Sequence, residues 1–285
     1  MCTLLFAVDA HPEYRLVVAA NRDEDHGRAT QALHRWAEAP QVLAGRDLVA
    51  GGTWMGITTG GRFAALTNVR APGAATGARS RGELVAAFLR GDASAARYVE
   101  AVARRGGEYG PFNLVVGEIG EIGEVGGAGG CEVYYVANLD PGRAAWGPVW
   151  AAGPTEGLGP RRLGPGIYGL SNHLLDSPWP KVQVGKERLA AALGRGGAIE
   201  AEELLEMLGD RRTHADASLP ETGVGAARER ALSALFVAMP GYGTCSSTAL
   251  LVERGGAGRL RERTTNPRLG GAEVELRFRV DGAAG

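Results

Sequence analysis

The sequence predicts an α+β protein built in layers. Strand-like apolar runs crowd both ends of the chain, helical patterns gather in runs of their own, and the first strand is apolar on both faces. Cys2 to Asp9 carries two alternating rows, Cys2, Leu4, Phe6, Val8 and Thr3, Leu5, Ala7. Neither row looks wet, so this strand is expected to be covered on both sides. Ala10-His11-Pro12-Glu13-Tyr14 supplies a turn, and Arg15 to Asp23 returns as the second strand of an antiparallel hairpin.

Further strands are expected at Leu48 to Ala50, Trp54 to Thr58, Arg62 to Asn68, Asn113 to Glu118, Glu132 to Ala137, Gly166 to Leu170, Leu235 to Met239, Ser247 to Glu253 and Glu273 to Val280. Helices are expected at Ser80 to Leu89, opened by the capping box Ser80-x-x-Glu83, then at Ala93 to Arg104, Val182 to Leu193 and Ile199 to Leu208. Gly106 to Gly110 and Gly123 to Gly130 read as turns, the second as a hairpin tip, and neither as a linker. One domain over residues 1–285 is the expected organisation.

Composition narrows the function classes. With 45% hydrophobic residues the chain can fill a core, and a formal net charge of -1 without a like-charged block lacks the footprint of a nucleic-acid or anionic-membrane binder. No stretch approaches the ~18 apolar residues of a membrane span. Cys2 to Asp9 has no basic leader, so the cytoplasm is the expected compartment, and on charge small-molecule or protein partners remain. Three cysteines, odd in number and far apart, form neither a disulfide framework nor a zinc pattern, and the five histidines have no ligand spacing. No metal or cofactor is expected. The 45 glycines exceed the ~7% average but are dispersed, so Gly164-Pro-Gly-Ile-Tyr-Gly169, which opens no helix, carries little weight as a dinucleotide motif.

Chemistry concentrates where the first hairpin ends. A turn centred near Pro12 places Cys2 opposite Arg22, and a slip of one residue brings Asp23 there instead. Either register sets the cluster Asn21, Arg22, Asp23 and Glu24 beside Cys2. Removal of Met1 would expose an α-amine on that cysteine. With a pKa of about 8, the amine can take the thiol proton, so nucleophile and base lie in one residue. A neighbouring Arg favours the thiolate and an Asp can orient the amine. The plainer alternative makes Cys2 a small buried hydrophobe.

A set of motifs adds specificity. Met1-Cys-Thr-Leu-Leu-Phe6, Asn21-Arg-Asp-Glu24, Gly51-Gly-Thr-Trp-Met-Gly-Ile57, Ala65-Leu-Thr-Asn-Val-Arg70 and Leu170-Ser-Asn-His-Leu-Leu-Asp-Ser-Pro-Trp-Pro-Lys181 follow one another in order. Ser80-Arg-Gly-Glu-Leu84, Phe112-Asn-Leu-Val-Val116 and Pro240-Gly-Tyr-Gly-Thr244 with Ser246-Ser-Thr248 extend the set. On these motifs the chain resembles, over nearly its whole length, the NRDE family, that of transport and Golgi organisation protein 2.

The resemblance implies a four-layer αββα sandwich similar to cysteine N-terminal-nucleophile hydrolases such as penicillin V acylase and bile salt hydrolase. There the N-terminal Cys attacks an amide carbonyl, assisted by an Arg and an Asp near the end of the second strand. Cys2, Arg22 and Asp23 are the matching positions; the acylase spacing would select Asp25, whereas the NRDE motif selects Asp23. Asn68 and Asn172, at strand ends, are candidate oxyanion donors or turn-stabilising residues. Trp54, Trp179 and Tyr242 are candidates for a pocket wall or for core, and Asn21, Glu24 and Arg70 for polar substrate contacts. Family members commonly read Gly-Thr-Arg where this chain has Gly243-Thr-Cys245, so either a site charge is missing or Cys245 packs beside a strand. Two functions follow. One is a Cys2 amidohydrolase or acyltransferase; the other is a non-catalytic carrier of haem or another hydrophobic ligand, with His173 as the ligand to examine first.

Overall fold

The computed structural model describes residues 2–71, 73, 77–120, 130–138 and 159–280. The expected hairpin tip at 123–130 lies, but for Gly130, outside them. Two seven-stranded antiparallel sheets pack face to face with helices on both outer surfaces, which is the four-layer αββα sandwich.

The first sheet holds β1 (Cys2–Val8), β2 (Tyr14–Asp25), β10 (Gly166–Leu170), β11 (Ala238–Met239), β12 (Tyr242–Glu253), β13 (Ala257–Thr264) and β14 (Glu273–Arg279). Its order is β10-β1-β2-β12-β13-β14, with β11 paired to β12. The second runs from β3 (Thr30–Trp36) through β4 (Ala39–Asp47), β5 (Met55–Thr58), β6 (Arg62–Asn68), β7 (Phe112–Ile119) and β8 (Cys131–Ala137) to β9 (Arg161–Leu163) in chain order.

The two apolar rows of β1 go to different layers. Leu4, Phe6 and Val8 join Leu43, Ile57, Phe63 and Val115 between the sheets. Leu5 and Ala7 point outward against Leu189 and Leu193 of α3 (Pro180–Gly194) and lie in one cluster with Leu204 and Leu208 of α4 (Ala201–Leu208). On the other surface α1 (Gly82–Arg90) and α2 (Ala95–Arg104) bring Leu84, Val85, Phe88, Val99 and Val102 onto Val42, Ala64, Leu114 and Val116. A strand apolar on both faces is thus a strand between two apolar layers. Among the described residues, no helix is long and apolar enough to cross a membrane.

Three local expectations fail for identifiable reasons. Residues 48–50 form a turn, because the Asp47 carboxylate accepts from Val49 N and Ala50 N at 3.0 and 3.4 Å and Gly51 takes φ +74°. The capping box does not form: Glu83 is drawn to Arg79, Glu83 N donates to the Ser80 carbonyl, and no side chain caps α1. Only Ala238–Met239 of the strand expected over 235–239 is strand. β3, β4, β13 and the three-residue β9 are not among the expected strands. β3 buries only Leu33 and Trp36 and is irregular in register, β4 carries Pro40, and β13 turns the carboxylate of Glu262 inward where an apolar residue would mark a strand.

Candidate active site

The hairpin pairs Cys2 with Arg22 and Thr3 with Asn21, in the register centred on Pro12. On its other side β2 pairs with β12, Asp23 opposite Thr244 and Arg22 opposite Ser246. Cys245 is the extra residue of a bulge between those two pairs. Its thiol is buried near the Glu24 and Gly243 carbonyls, both 3.6 Å from Sγ, and burial pushes it up to about 11. Cys245 therefore packs beside the strand.

Cys2 opens onto a cavity of about 290 Å³ whose wall includes Arg22, Asp23, Glu24, Trp54, Asn68 and Arg81. The Arg22 guanidinium lies 4.3 Å above the Trp54 ring and 3.9 Å from the Glu24 carboxylate. Burial raises the Cys2 thiol pKa, with Asp23 acting in the same direction and Arg22 against it. The neighbouring arginine opposes the effect of burial without reversing it.

Asp23 is 1% exposed. The Thr244 hydroxyl donates to its Oδ1 at 2.7 Å while accepting Val237 N–H at 2.9 Å, which fixes the direction of that hydroxyl. The Tyr242 hydroxyl donates to the Asp23 carbonyl at 3.1 Å. Burial pushes the Asp23 carboxyl upward, opposed first by Lys181. Asp25 is exposed and accepts from Gly27 N at 2.6 Å, outside the cavity wall.

The asparagines separate. Asn68, at the end of β6, lines the cavity with Cys2. Asn172 is fully buried, and its amide donates at 2.9 Å to the Asn68 carbonyl while its own carbonyl accepts Arg70 N–H at 2.8 Å. Asn172 thus holds the Asn68 strand end in place. Asn21 donates to the Leu208 and Leu235 carbonyls, both at 2.9 Å, and accepts from Ser247 Oγ at 2.6 Å, so its side chain ties β2 to the outer layer.

Arg70, Trp179 and His173 form a packed group that does not line this cavity, although the Arg70 and Asp23 charges act on each other. Arg70 pairs with the buried Glu229 at 2.6 Å and lies 4.9 Å from the Trp179 ring centre, and Trp179 stacks on His173 with centroids 5.9 Å apart. His173 Nδ1 is 2.6 Å from Ser177 Oγ, and burial drags the imidazole down to about 4.

Two residues escaped the sequence reading. Lys181, in the first turn of α3, is 1% exposed, and its Nζ has no hydrogen-bond partner among the described residues. Burial lowers its pKa to about 8, with the charges of Asp23, Arg70, Cys2 and Glu229 around it. A signal was available: Lys181 and Lys186 are the only lysines in a chain that otherwise uses arginine, and arginine cannot give up its proton. Arg81 is the second, on the wall formed by the start of α1.

The chain is 34% identical to the human Transport and Golgi organization protein 2 homolog and 35% identical to the Bos taurus homolog, each match covering 93% of both chains. It is also similar to the solved structure of the Caenorhabditis elegans N-acylethanolamine-hydrolyzing acid amidase ortholog, at TM-score 0.44 and 12% identity over 88% of this chain and 92% of that one. The model of the family described as Transport and Golgi organisation 2 matches residues 1–267, and the chain belongs to that family.

Proposed function

We propose that the chain is a cysteine amidohydrolase or acyltransferase in which Cys2, freed of Met1, attacks the carbonyl carbon of a small amide. The observation that carries this reading is the position of Cys2. It stands opposite Arg22, one residue from the buried Asp23, at a cavity it shares with Asn68.

The α-amine of Cys2 takes the thiol proton, and the sulfur forms a bond to the carbonyl carbon as the carbonyl electron pair moves onto oxygen. The Asn68 amide and the Arg22 guanidinium supply donors for that oxyanion. Its collapse breaks the C–N bond, the amine passes its proton to the leaving nitrogen, and a Cys2 thioester remains for water or a second amine. Asp23 orients the α-amine, and the Lys181 ammonium holds Asp23 in its charged form. Charged and polar side chains dominate the cavity wall, and its volume falls at the small end of the roughly 300–1,000 Å³ of ligand pockets. Both features favour a compact polar substrate over a large hydrophobic ligand such as haem.

The test is intact mass of the purified protein before and after brief exposure to a β-lactone, with Cys2→Ala alongside. Loss of Met1 and one adduct that requires Cys2 support the reading. A mature Cys2 that stays unmodified across β-lactones and activated amides rejects it.

A further inference from the structure

Four guanidinium groups and three carboxylates line the cavity, and among the described residues all but one of the four cations form an ion pair with a carboxylate. Arg28 binds Asp47 through Nε and Nη2 at 3.2 and 2.7 Å. Arg79 contacts Glu83 and Glu108, and Arg22 lies over Trp54 with Glu24 3.9 Å away. Arg81 forms no ion pair among the described residues. Its Nη1 donates to the Pro111 carbonyl at 3.0 Å, and that is the one hydrogen bond of its side chain within the described protein.

Arg81 is also held in place. Thr53 N donates to the Gly82 carbonyl at 3.2 Å, and the backbones approach so closely that a Cβ on Gly52 would lie 2.4 Å from the Gly82 carbonyl carbon. The loop that carries Trp54 is therefore pressed against the start of α1, fixing Arg81 and the Trp54 wall in one frame. A half-buried guanidinium with most of its donors unspent has lost hydration without gaining a carboxylate in contact, since Glu24 acts on it only at longer range. Its planar fork fits the paired oxygens of an oxyacid better than any neutral group.

Resting on the Cys2 reading above, we infer that Arg81 anchors an oxyacid anion, carboxylate or phosphate, on the acyl compound that Cys2 attacks. The substrate class is thus a small anionic amide whose charged end lies on the α1 wall while its carbonyl lies at Cys2. Burial pulls the Arg81 pKa downward, and a Cys2 thiolate and the Glu24 carboxylate act against that, as groups facing one space do.

The experiment uses electrophiles that differ only in that end. N-Bromoacetyl derivatives of glycine, β-alanine and γ-aminobutyrate are compared with their carboxamides, and N-bromoacetyl-O-phosphoethanolamine with N-bromoacetylethanolamine. In each, the Cys2 sulfur displaces bromide, forming a C–S bond and breaking C–Br. Rates are read by intact mass and normalised to those with free cysteine. At the chain length that reaches Arg81, the anionic member should label about tenfold faster than its neutral twin. The advantage should vanish in Arg81→Gln and return in part in Arg81→Lys, which guards against a folding defect. A larger gain for the carboxylate or for the phosphate identifies the oxyacid. Equal rates for every pair, or a preference that survives Arg81→Gln, overturn the inference and leave the nucleophile standing. A Cys2 inert to all the reagents overturns both.

Discussion

Thr244 and Asp23 face each other across β12 and β2, and the Thr244 hydroxyl spends its one hydrogen on the Asp23 carboxylate at 2.7 Å. The same oxygen accepts Val237 N–H, so it has no freedom to turn elsewhere. Thr244→Val keeps the shape and removes both bonds. We expect a loss of about 1–3 kcal/mol in urea denaturation, a further rise of the Asp23 pKa, and slower Cys2 labelling at neutral pH.

Lys181→Met removes a buried cation whose Nζ finds no hydrogen bond. Its folded pKa of about 8 lies below the ordinary 10.5, so the folded state binds fewer protons between these values and wild-type stability rises with pH across that window. The Met variant should lack that rise and should push the Asp23 pKa further up, because the first charge opposing burial of that carboxyl is gone. It should also alkylate Cys2 with a midpoint shifted to higher pH, because a positive charge near the thiolate is gone. A lower melting temperature with an unmoved midpoint would assign Lys181 to packing alone.

His173 supplies the acid-side counterpart. Its folded pKa of about 4 lies below the ordinary 6.5, so the unfolded state binds the extra proton in that interval. Stability should therefore fall as pH drops from 6.5 to 4, and His173→Gln should flatten that part of the melting-temperature profile. An unchanged slope would show that other groups carry the acid response.

Asn21 makes three buried hydrogen bonds that join β2 to the chain beyond Leu208 and to Ser247. Asn21→Ala is expected to cost about 2–4 kcal/mol by leaving two carbonyls and a hydroxyl unsatisfied. Asn21→Asp should cost more, since it sets a carboxylate against two carbonyl oxygens. At temperatures where Asn21→Ala remains folded, its Cys2 labelling should match wild type; a selective loss of labelling would return Asn21 to the site.

What could be read from the chain follows from what local patterns encode. The Cys2–Arg22 pairing was legible because a short turn fixes register, and the double apolar row of β1 gave away a strand between layers. β13 was hidden by Glu262, a carboxylate inside the fold that a periodicity argument scores as surface. The separation of Asn68 from Asn172 was also hidden. It depends on which strand end faces the cavity, and spacing along the chain carries no such information. Asn21 looked like part of the site because its sequence neighbours are, yet alternation along β2 sends its side chain to the opposite face from Arg22.

The order of strands in the first sheet has a bearing on biosynthesis. β2 lies between β1 and β12, so the sheet beside Cys2 stays incomplete until residues 242–253 have been made. Most of this chain is therefore synthesised while the Cys2 end still lacks its final neighbours, and contacts of such long sequence separation form late. The excision of Met1 that the proposed function requires would have that whole interval in which to occur. A strand order that slows folding thereby leaves a processing enzyme time to act before the sheet beside Cys2 is complete.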